Sequence, residues 1–278
     1  MGVAVVGLAG CNAMKLGYQQ GDRLAYWWVD RYVDISDAQE PPTREAIHRF
    51  FVWHRRNQLP EIATVLTRVK GEVTQTVDAG MIRHVQQDTQ RLGRQAFENA
   101  VPDVASLMLT LTPEQIRHME GKFDESNAKY RKAFLRGNAE ARTDARLDKI
   151  MEYAKLIYGR FSREQEKAIR DAMGPYMQGA EARYAERIRR QKDWLALARE
   201  VQSTHPPKAQ VEQMLRHYGE QWSRPGPERG QAGVDLTVTI ANLTTPEQKA
   251  HAADRFQKWI DDTRSLMRDG GSSEQAAN

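Results

Sequence analysis

The stretch TPEQIRH at residues 112–118 predicts the start of a helix, and a near copy, TPEQKAH, occurs at residues 245–251. In each copy a threonine is followed by proline and then, three residues after the threonine, by glutamine. The threonine hydroxyl can accept a hydrogen bond from a free backbone N–H while the glutamine reaches back, and proline in the first turn loses no hydrogen bond. Both copies therefore predict a helix that begins with a capping box.

The similarity of the two copies extends past the capping box. In both, the histidine is followed by a basic residue and a phenylalanine, Lys122-Phe123 and Arg255-Phe256. Two more boxes, at Ser36 and Ser162, lie a similar distance apart, and arginine pairs follow them, Arg55-Arg56 and Arg189-Arg190. Capping alone does not require these shared residues, so we infer an internal duplication of a helical unit of roughly 130 residues. Convergent capping boxes between short helices are the alternative.

Most of the chain has the apolar periodicity of amphipathic helices, as in Ile116, Met119 and Phe123. Residues 234–240 alternate between apolar and polar, but a lone strand would have no partner, so we interpret them as a buried helix. The expected fold class is therefore all-α, a multi-helix bundle with two related halves.

The expected organisation has five parts. Residues 1–11 are a signal remnant, 12–35 an aromatic helix near the anchor, 36–160 the first helical half, 161–268 the second half, and 269–278 a disordered tail. The tail is expected to be disordered because it lacks apolar periodicity.

The N-terminal residues 3–11, VAVVGLAGC, form a short apolar run that ends in small residues and the chain's single Cys. Its last four residues resemble the lipobox of a bacterial lipoprotein signal peptide, although no Lys or Arg precedes the run as is usual. The resemblance implies that the Cys11 thiol carries acyl chains such as palmitate, so the membrane is an expected partner. Since Asn12 follows Cys11, we expect the periplasmic face of the outer membrane, with the inner membrane as the alternative.

Several aromatic and basic motifs carry a family resemblance: YWWVD at 26–30, YVD at 32–34, WHRR at 53–56 and Leu59-Pro60. Together with Cys11 they resemble an uncharacterised family of proteobacterial lipoproteins, known as a domain of unknown function, which implies no particular activity. The sequence LTPEQ at 111–115 is also similar to the Leu-Thr-x-x-Gln motif of the Spy and CpxP periplasmic chaperones.

Basic and acidic residues are mixed along the chain, whose net charge is +4. This mixing is typical of a solvated helical surface, and since no recognition motif accompanies it, we expect no nucleic-acid partner. An envelope protein or an anionic lipid is the expected partner. The candidate partner-binding residues are Trp27, Arg55, Arg56, Arg187, Arg189 and Arg190. We expect Trp28 in the core, because it shares a stripe with Leu24 and Tyr32, whereas Trp27 points about 100° away.

A possible catalytic or metal site is the remaining question. Glu45 and His48 share one helix face and His54 lies further along, but no established catalytic motif is present, and no cofactor is expected. His118 and His251, at matching repeat positions, either bind metal as a pair or hydrogen-bond at a helix boundary. We therefore expect a non-enzymatic envelope lipoprotein that acts as an interaction or chaperone-like module. A metal-binding or hydrolytic enzyme that uses Glu45, His48 and His54 is the alternative.

Overall fold

The computed structural model describes residues 17–222 and 230–275. These residues form twelve α-helices and a short π-helical segment, without a strand, so the predicted all-α multi-helix bundle is confirmed. The helices are α1 Gly21–Val33, α2 Glu40–Trp53, the π segment His54–Gln58, α3 Leu59–Glu72, α4 Ala79–Met108, α5 Pro113–Phe134, α6 Ala139–Tyr158, α7 Arg163–Ala172, α8 Gly174–Gln178, α9 Ala180–Thr204, α10 Lys208–Trp222, α11 Gln231–Asn242 and α12 Pro246–Gln275. Within the described ranges, no helix has both the length and the apolarity needed to cross a bilayer.

The capping boxes predicted at Thr112, Ser162 and Thr245 are confirmed. The fourth differs, because α2 begins at Glu40, after a turn at residues 37–39. Two prolines follow at the start of α2, where the missing N–H groups cost nothing, and they set the helix start beyond Ser36. The Ser36 backbone N–H still donates to Gln39 Oε1 at 3.1 Å, so half of this box remains.

Two segments with unusual sequence patterns are helical. Residues 234–240 lie within α11, as predicted. The tail prediction is wrong for residues 269–275, because α12 continues to Gln275, and residues 276–278 lie outside the described residues. No proline interrupts this segment, and each glycine weakens a helix by only about 1 kcal/mol, so a helix already anchored by buried side chains continues.

Two glutamine pairs, the first buried and the second partly buried, show how the repeats correspond. Gln39 and Gln115 exchange side-chain hydrogen bonds of 3.2 and 2.6 Å. At the matching positions of the second repeat, Gln165 and Gln248 exchange bonds of 2.7 and 3.2 Å. Each pair joins the start of one helix to the start of another, α2 to α5 and α7 to α12. We call these two places the first and second glutamine joints.

The neighbours of the two joints match as well. In the first joint, Gln115 Nε2 donates to the Asp34 carbonyl and Gln39 Nε2 to the Thr110 carbonyl. In the second, the corresponding acceptors are the carbonyls of Arg160 and Leu243. The two histidines of the repeated motif follow the same rule: His118 contacts the Arg31 carbonyl at 3.1 Å and His251 the Ile157 carbonyl at 3.0 Å. This residue-by-residue correspondence supports the predicted duplication, and it extends the repeats back to α1 and α6, before Ser36 and Ser162.

The repeats exchange part of their structure. Helix α3 and the first part of α4, residues 59–89, form the first arm, and α9 with α10, residues 180–222, form the corresponding second arm. The first arm packs on α11 and α12 of the second repeat, whereas the second arm packs on α4 and α5 of the first. Hydrogen bonds that join each arm to the other repeat are Lys70 to Gln257, Arg83 to Gln231, Arg199 to Glu120 and Arg216 to Glu98. The two repeats are therefore intertwined, because each one packs its arm on the other.

Candidate ligand groove

A half-open cavity of about 740 Å³ lies where the second arm meets the first repeat. Its walls come from α1, α4, α5, α9 and α10. Ligand pockets commonly have volumes of roughly 300–1,000 Å³ and are lined mainly by apolar and aromatic side chains with a few polar groups. We call this cavity the groove, and its two ends differ in chemistry.

One end of the groove is apolar and aromatic. The Trp194 indole N–H points at Met119 Sδ, 3.1 Å away, and the Trp194 and Tyr218 rings lie 5.4 Å apart. The Tyr218 hydroxyl donates to the Arg190 carbonyl, and burial raises the pKa of Tyr218 to about 12, so this ring stays uncharged. Further apolar side chains at the groove wall are Val29, Phe97, Val104, Leu107 and Phe123.

The other end is basic. Arg187 Nε donates to Asn127 Oδ1 at 2.8 Å, and Arg187 Nη2 donates to Ser126 Oγ at 2.7 Å. Asn127 is itself held by Gln191, at 2.7 Å, and is only 5% exposed. The guanidinium of Arg187 is thus fixed by neutral groups and keeps its positive charge toward the groove, beside the ring of Tyr130.

Glu186 is the one carboxylate among the described residues at the groove wall, and two arginines neutralise it. It accepts hydrogen bonds from Arg189 Nε and Nη2, at 2.7 and 2.8 Å, and from Arg190 Nε at 2.7 Å. The bonds from Arg189, followed by those from Arg190, lower the pKa of Glu186 to about 2. Since Arg183, Arg187 and Arg190 line the same wall, positive charge exceeds negative charge at this end.

We predict that Glu186→Gln will destabilise the protein at neutral pH by about 1 to 2 kcal/mol, a value that allows for solvent screening. A carboxylate with a lowered pKa stabilises the fold above its unfolded pKa, and this stabilisation is lost as the pH falls toward 2. Urea unfolding between pH 7 and pH 2.5 should therefore show a difference between variant and parent that shrinks in acid. A constant difference across this range would contradict the assignment.

The corresponding place in the second repeat is closed. Tyr32 and Phe123 are only partly buried at the groove, whereas their counterparts Tyr158 and Phe256 are 8% and 7% exposed. Trp28 at the groove wall is 57% exposed, and its counterpart is the small, buried Ala154.

In the described part of the chain, the positive charge of the groove is also absent from the corresponding place in the second repeat. Arg187 corresponds to Glu61 in the first arm, which is paired with Arg91. The groove is therefore open at only one of the two corresponding places among the described residues, and it does not follow from the duplicated fold.

The predicted partner-binding arginines of α9 separate into two groups. Arg187 and Arg190 line the groove, whereas Arg189 is more exposed and pairs with Glu186 and with Asp193, at 2.6 Å. Asn127 was missed by the sequence analysis. The sequence feature that could have identified Asn127 is that it is a polar residue within the apolar stripe of α5, at a position that is buried in the fold.

The two tryptophans of α1 are both exposed, Trp27 by 55% and Trp28 by 57%. The prediction that Trp28 belongs to the core is wrong, because the stripe of Leu24, Trp28 and Tyr32 faces solvent and the groove while α1 buries Gly21 and Val33 instead. Trp27 lies outside the groove, with the Arg31 guanidinium 5.4 Å from its ring.

The remaining predicted partner-binding residues lie elsewhere. Arg55 and Arg56 are in the π segment, outside the groove, and the Arg55 guanidinium lies 5.7 Å from the Tyr18 ring. The structure therefore does not bring this arginine pair together with those of α9 in one site. Cys11 lies outside the described residues.

The three residues of the predicted metal or hydrolytic site do not converge. Their side chains contact other residues: Glu45 contacts Arg49 at 3.4 Å, His48 contacts Asp22 at 3.3 Å, and His54 Nδ1 contacts the Tyr18 hydroxyl at 2.9 Å. Burial, together with the charge of Arg55, lowers the pKa of His54. Across residues 17–222 and 230–275, no group of three His, Cys, Asp or Glu side chains could hold a metal ion. His118 and His251 lie in separate joints, where each contacts a backbone carbonyl at a helix end. This agrees with the interpretation that they hydrogen-bond at a helix boundary, and not with a metal site shared by the pair.

The comparisons with known proteins give a family and no activity. No curated protein and no solved structure matches the chain. The model of the family of unknown function DUF6279 matches residues 31–225, a range that includes the groove-lining helices α4, α5, α9 and α10. The match extends over well over half of the chain, in agreement with the resemblance to an uncharacterised family. The chain belongs to the family of unknown function DUF6279.

Proposed function

We propose that this protein is a non-enzymatic binding module of the bacterial envelope that holds a ligand in the groove. The observation that carries the proposal is the open groove in the first repeat, where the second repeat is closed at the corresponding place. Burying apolar area contributes about 25 cal/mol per Å², so leaving several aromatic side chains uncovered costs stability. An occupant of the groove would recover that stabilisation.

The anchor belongs to the same proposal. Cys11 carries acyl chains at the periplasmic face of the outer membrane, and α1 follows it closely in the chain. The exposed side chains of Leu24, Trp27 and Trp28 support this arrangement, since tryptophan rings favour the headgroup level of a membrane. The groove, which shares α1, would then lie near the membrane surface.

The anchor is tested by expressing residues 11–278 behind a lipoprotein signal peptide in a Gram-negative bacterium and comparing this protein with its Cys11→Ala variant. We expect the parent in the outer-membrane fraction, labelled by radioactive palmitate, and the variant unlabelled in the soluble periplasm. The same distribution for both would overturn the anchor.

The groove is tested by purifying the parent and Val104→Phe from the envelope and extracting the small molecules bound to each. Val104 lies at the groove wall, and phenylalanine there reduces the space without adding a polar group. We expect a molecule in stoichiometric amount with the parent and its loss from the variant. Circular dichroism must show the same helix content and melting temperature for both, and equal occupancy in the two proteins would overturn the proposal.

A further inference from the structure

We infer that the occupant of the groove is a single-chain amphiphile with a carboxylate head, a long-chain fatty acid. This inference rests on the proposed binding function and specifies its ligand. It is carried by the separation of charge and apolar surface along one wall of the groove.

The basic end suits a carboxylate. Arg187 uses two of its N–H groups on Asn127 and Ser126, and a guanidinium has five, so donors remain for a ligand. Arginine binds carboxylates through paired, charge-assisted hydrogen bonds that are roughly twice as strong as neutral ones. Because Asn127 and Ser126 already hold the guanidinium in place, little side-chain freedom is lost when the ligand binds.

The charges of the other groups at this end also favour an anion. Arg183 is 5% exposed, and its Nη1 donates to the Tyr176 carbonyl, so this cation is fixed beside the groove. Glu186 opposes an anion, but its bonds to Arg189 and Arg190 compensate its charge. An uncharged head would forgo this attraction.

The apolar end suits one aliphatic chain. From Arg183 to Trp194 the wall follows α9 for eleven residues, about 16 Å at the helical rise. Beyond the arginines, the lining changes to Trp194, Met119, Phe97 and Leu107, which have no charge to pair. The arginines thus occupy the wall from Arg183 to Arg190, and apolar and aromatic side chains from the other helices line the rest of the volume of about 740 Å³. This distribution suits a ligand whose anionic head lies at the arginines and whose single aliphatic chain lies against the apolar lining.

The test uses the quenching of tryptophan fluorescence in the full chain with Cys11→Ala, so that its own acyl chains do not compete. Trp28 and Trp194 line the groove and report on its occupancy. The probes are a long-chain fatty acid brominated on its chain and the alcohol with the same brominated chain, at pH 8. We expect the acid to bind about tenfold more tightly than the alcohol, the equivalent of about 1.4 kcal/mol.

Variants test which end of the groove binds the carboxylate and which part binds the aliphatic chain. Arg187→Gln should weaken the acid about tenfold and leave the alcohol unchanged. Lys192→Gln, which removes one charge from the exposed face of the same helix, should change neither. Val104→Phe should weaken both probes.

The outcomes separate this inference from the proposed function. Equal affinity of the parent for acid and alcohol, or no effect of Arg187→Gln, would overturn the carboxylate head and leave the groove as a binding site. No binding of either probe would overturn the single-chain amphiphile and favour an apolar segment of a protein. Unchanged binding of both probes to a folded Val104→Phe variant would overturn the groove itself, and with it the proposed function.

Discussion

Replacing Gln115 by leucine is expected to lower the free energy of unfolding by about 3 kcal/mol or more. Gln115 is 7% exposed, and its Nε2 donates to the Asp34 carbonyl and to Gln39 Oε1, at 2.8 and 2.6 Å. Its Oε1 accepts from the Thr112 backbone N–H. Leucine fills a similar volume but leaves three polar groups without these partners, and each unsatisfied buried group costs roughly 1–3 kcal/mol. Urea unfolding monitored by circular dichroism measures the effect.

The control for Gln115→Leu is Gln210→Leu, at an exposed helical position. We expect this variant to stay within about 0.5 kcal/mol of the parent. The double variant Gln39→Leu, Gln115→Leu should lose less unfolding free energy than the sum of the losses in the two single variants, because the two side chains hydrogen-bond to each other. A Gln115→Leu protein as stable as the Gln210→Leu protein would show that the first glutamine joint does not stabilise the fold.

Cutting the chain between α5 and α6 is expected to give two pieces, residues 1–137 and 138–278, that do not fold as monomers. Each piece keeps its own arm and loses the surface on which that arm packs: α3 is separated from α12, and α9 from α5. Mixing the pieces in equal amounts should restore helix content and a cooperative thermal transition, because every exchanged contact can form again. Circular dichroism and sedimentation of each piece and of the mixture measure this.

Two results would contradict the exchanged arms. One is a piece that is monomeric and unfolds cooperatively by itself. The other is a mixture whose spectrum and melting curve equal the sum of the separate pieces. A piece that gains helix only as a dimer would agree with the arrangement, since a second copy can supply the missing surface.

The local structure could be predicted from the sequence because its causes are local. A hydroxyl followed three residues later by glutamine specifies a helix start, as at Thr112 and Ser162. The repetition of His118 and its neighbours predicted the matching of the repeats. The exchange of the arms could not be predicted, because the apolar face of α3 has the same pattern whether it packs on its own repeat or on the other.

The groove could not be predicted from the sequence, for a related reason. An apolar stripe such as Leu24, Trp28 and Tyr32 predicts a face that avoids water, but it does not tell whether the protein itself covers that face. Arg187 and Arg190 were identified as candidates because basic residues are dense there. Only the tertiary structure places them beside the aromatic side chains of α1 and α5.

The exchanged arms have a consequence for how the two repeats can change over time. Two repeats that each pack an arm on the other have the arrangement of a domain-swapped homodimer whose two subunits are joined into one polypeptide. In a homodimer a single mutation alters both symmetry-related places at once, so a cavity opened at one is opened at both, and its stability cost is doubled. Once the subunits are joined in one chain, the two corresponding places can change independently. Ala154 and Phe256 can then fill the place in the second repeat, while Trp28 and Phe123 leave the groove open.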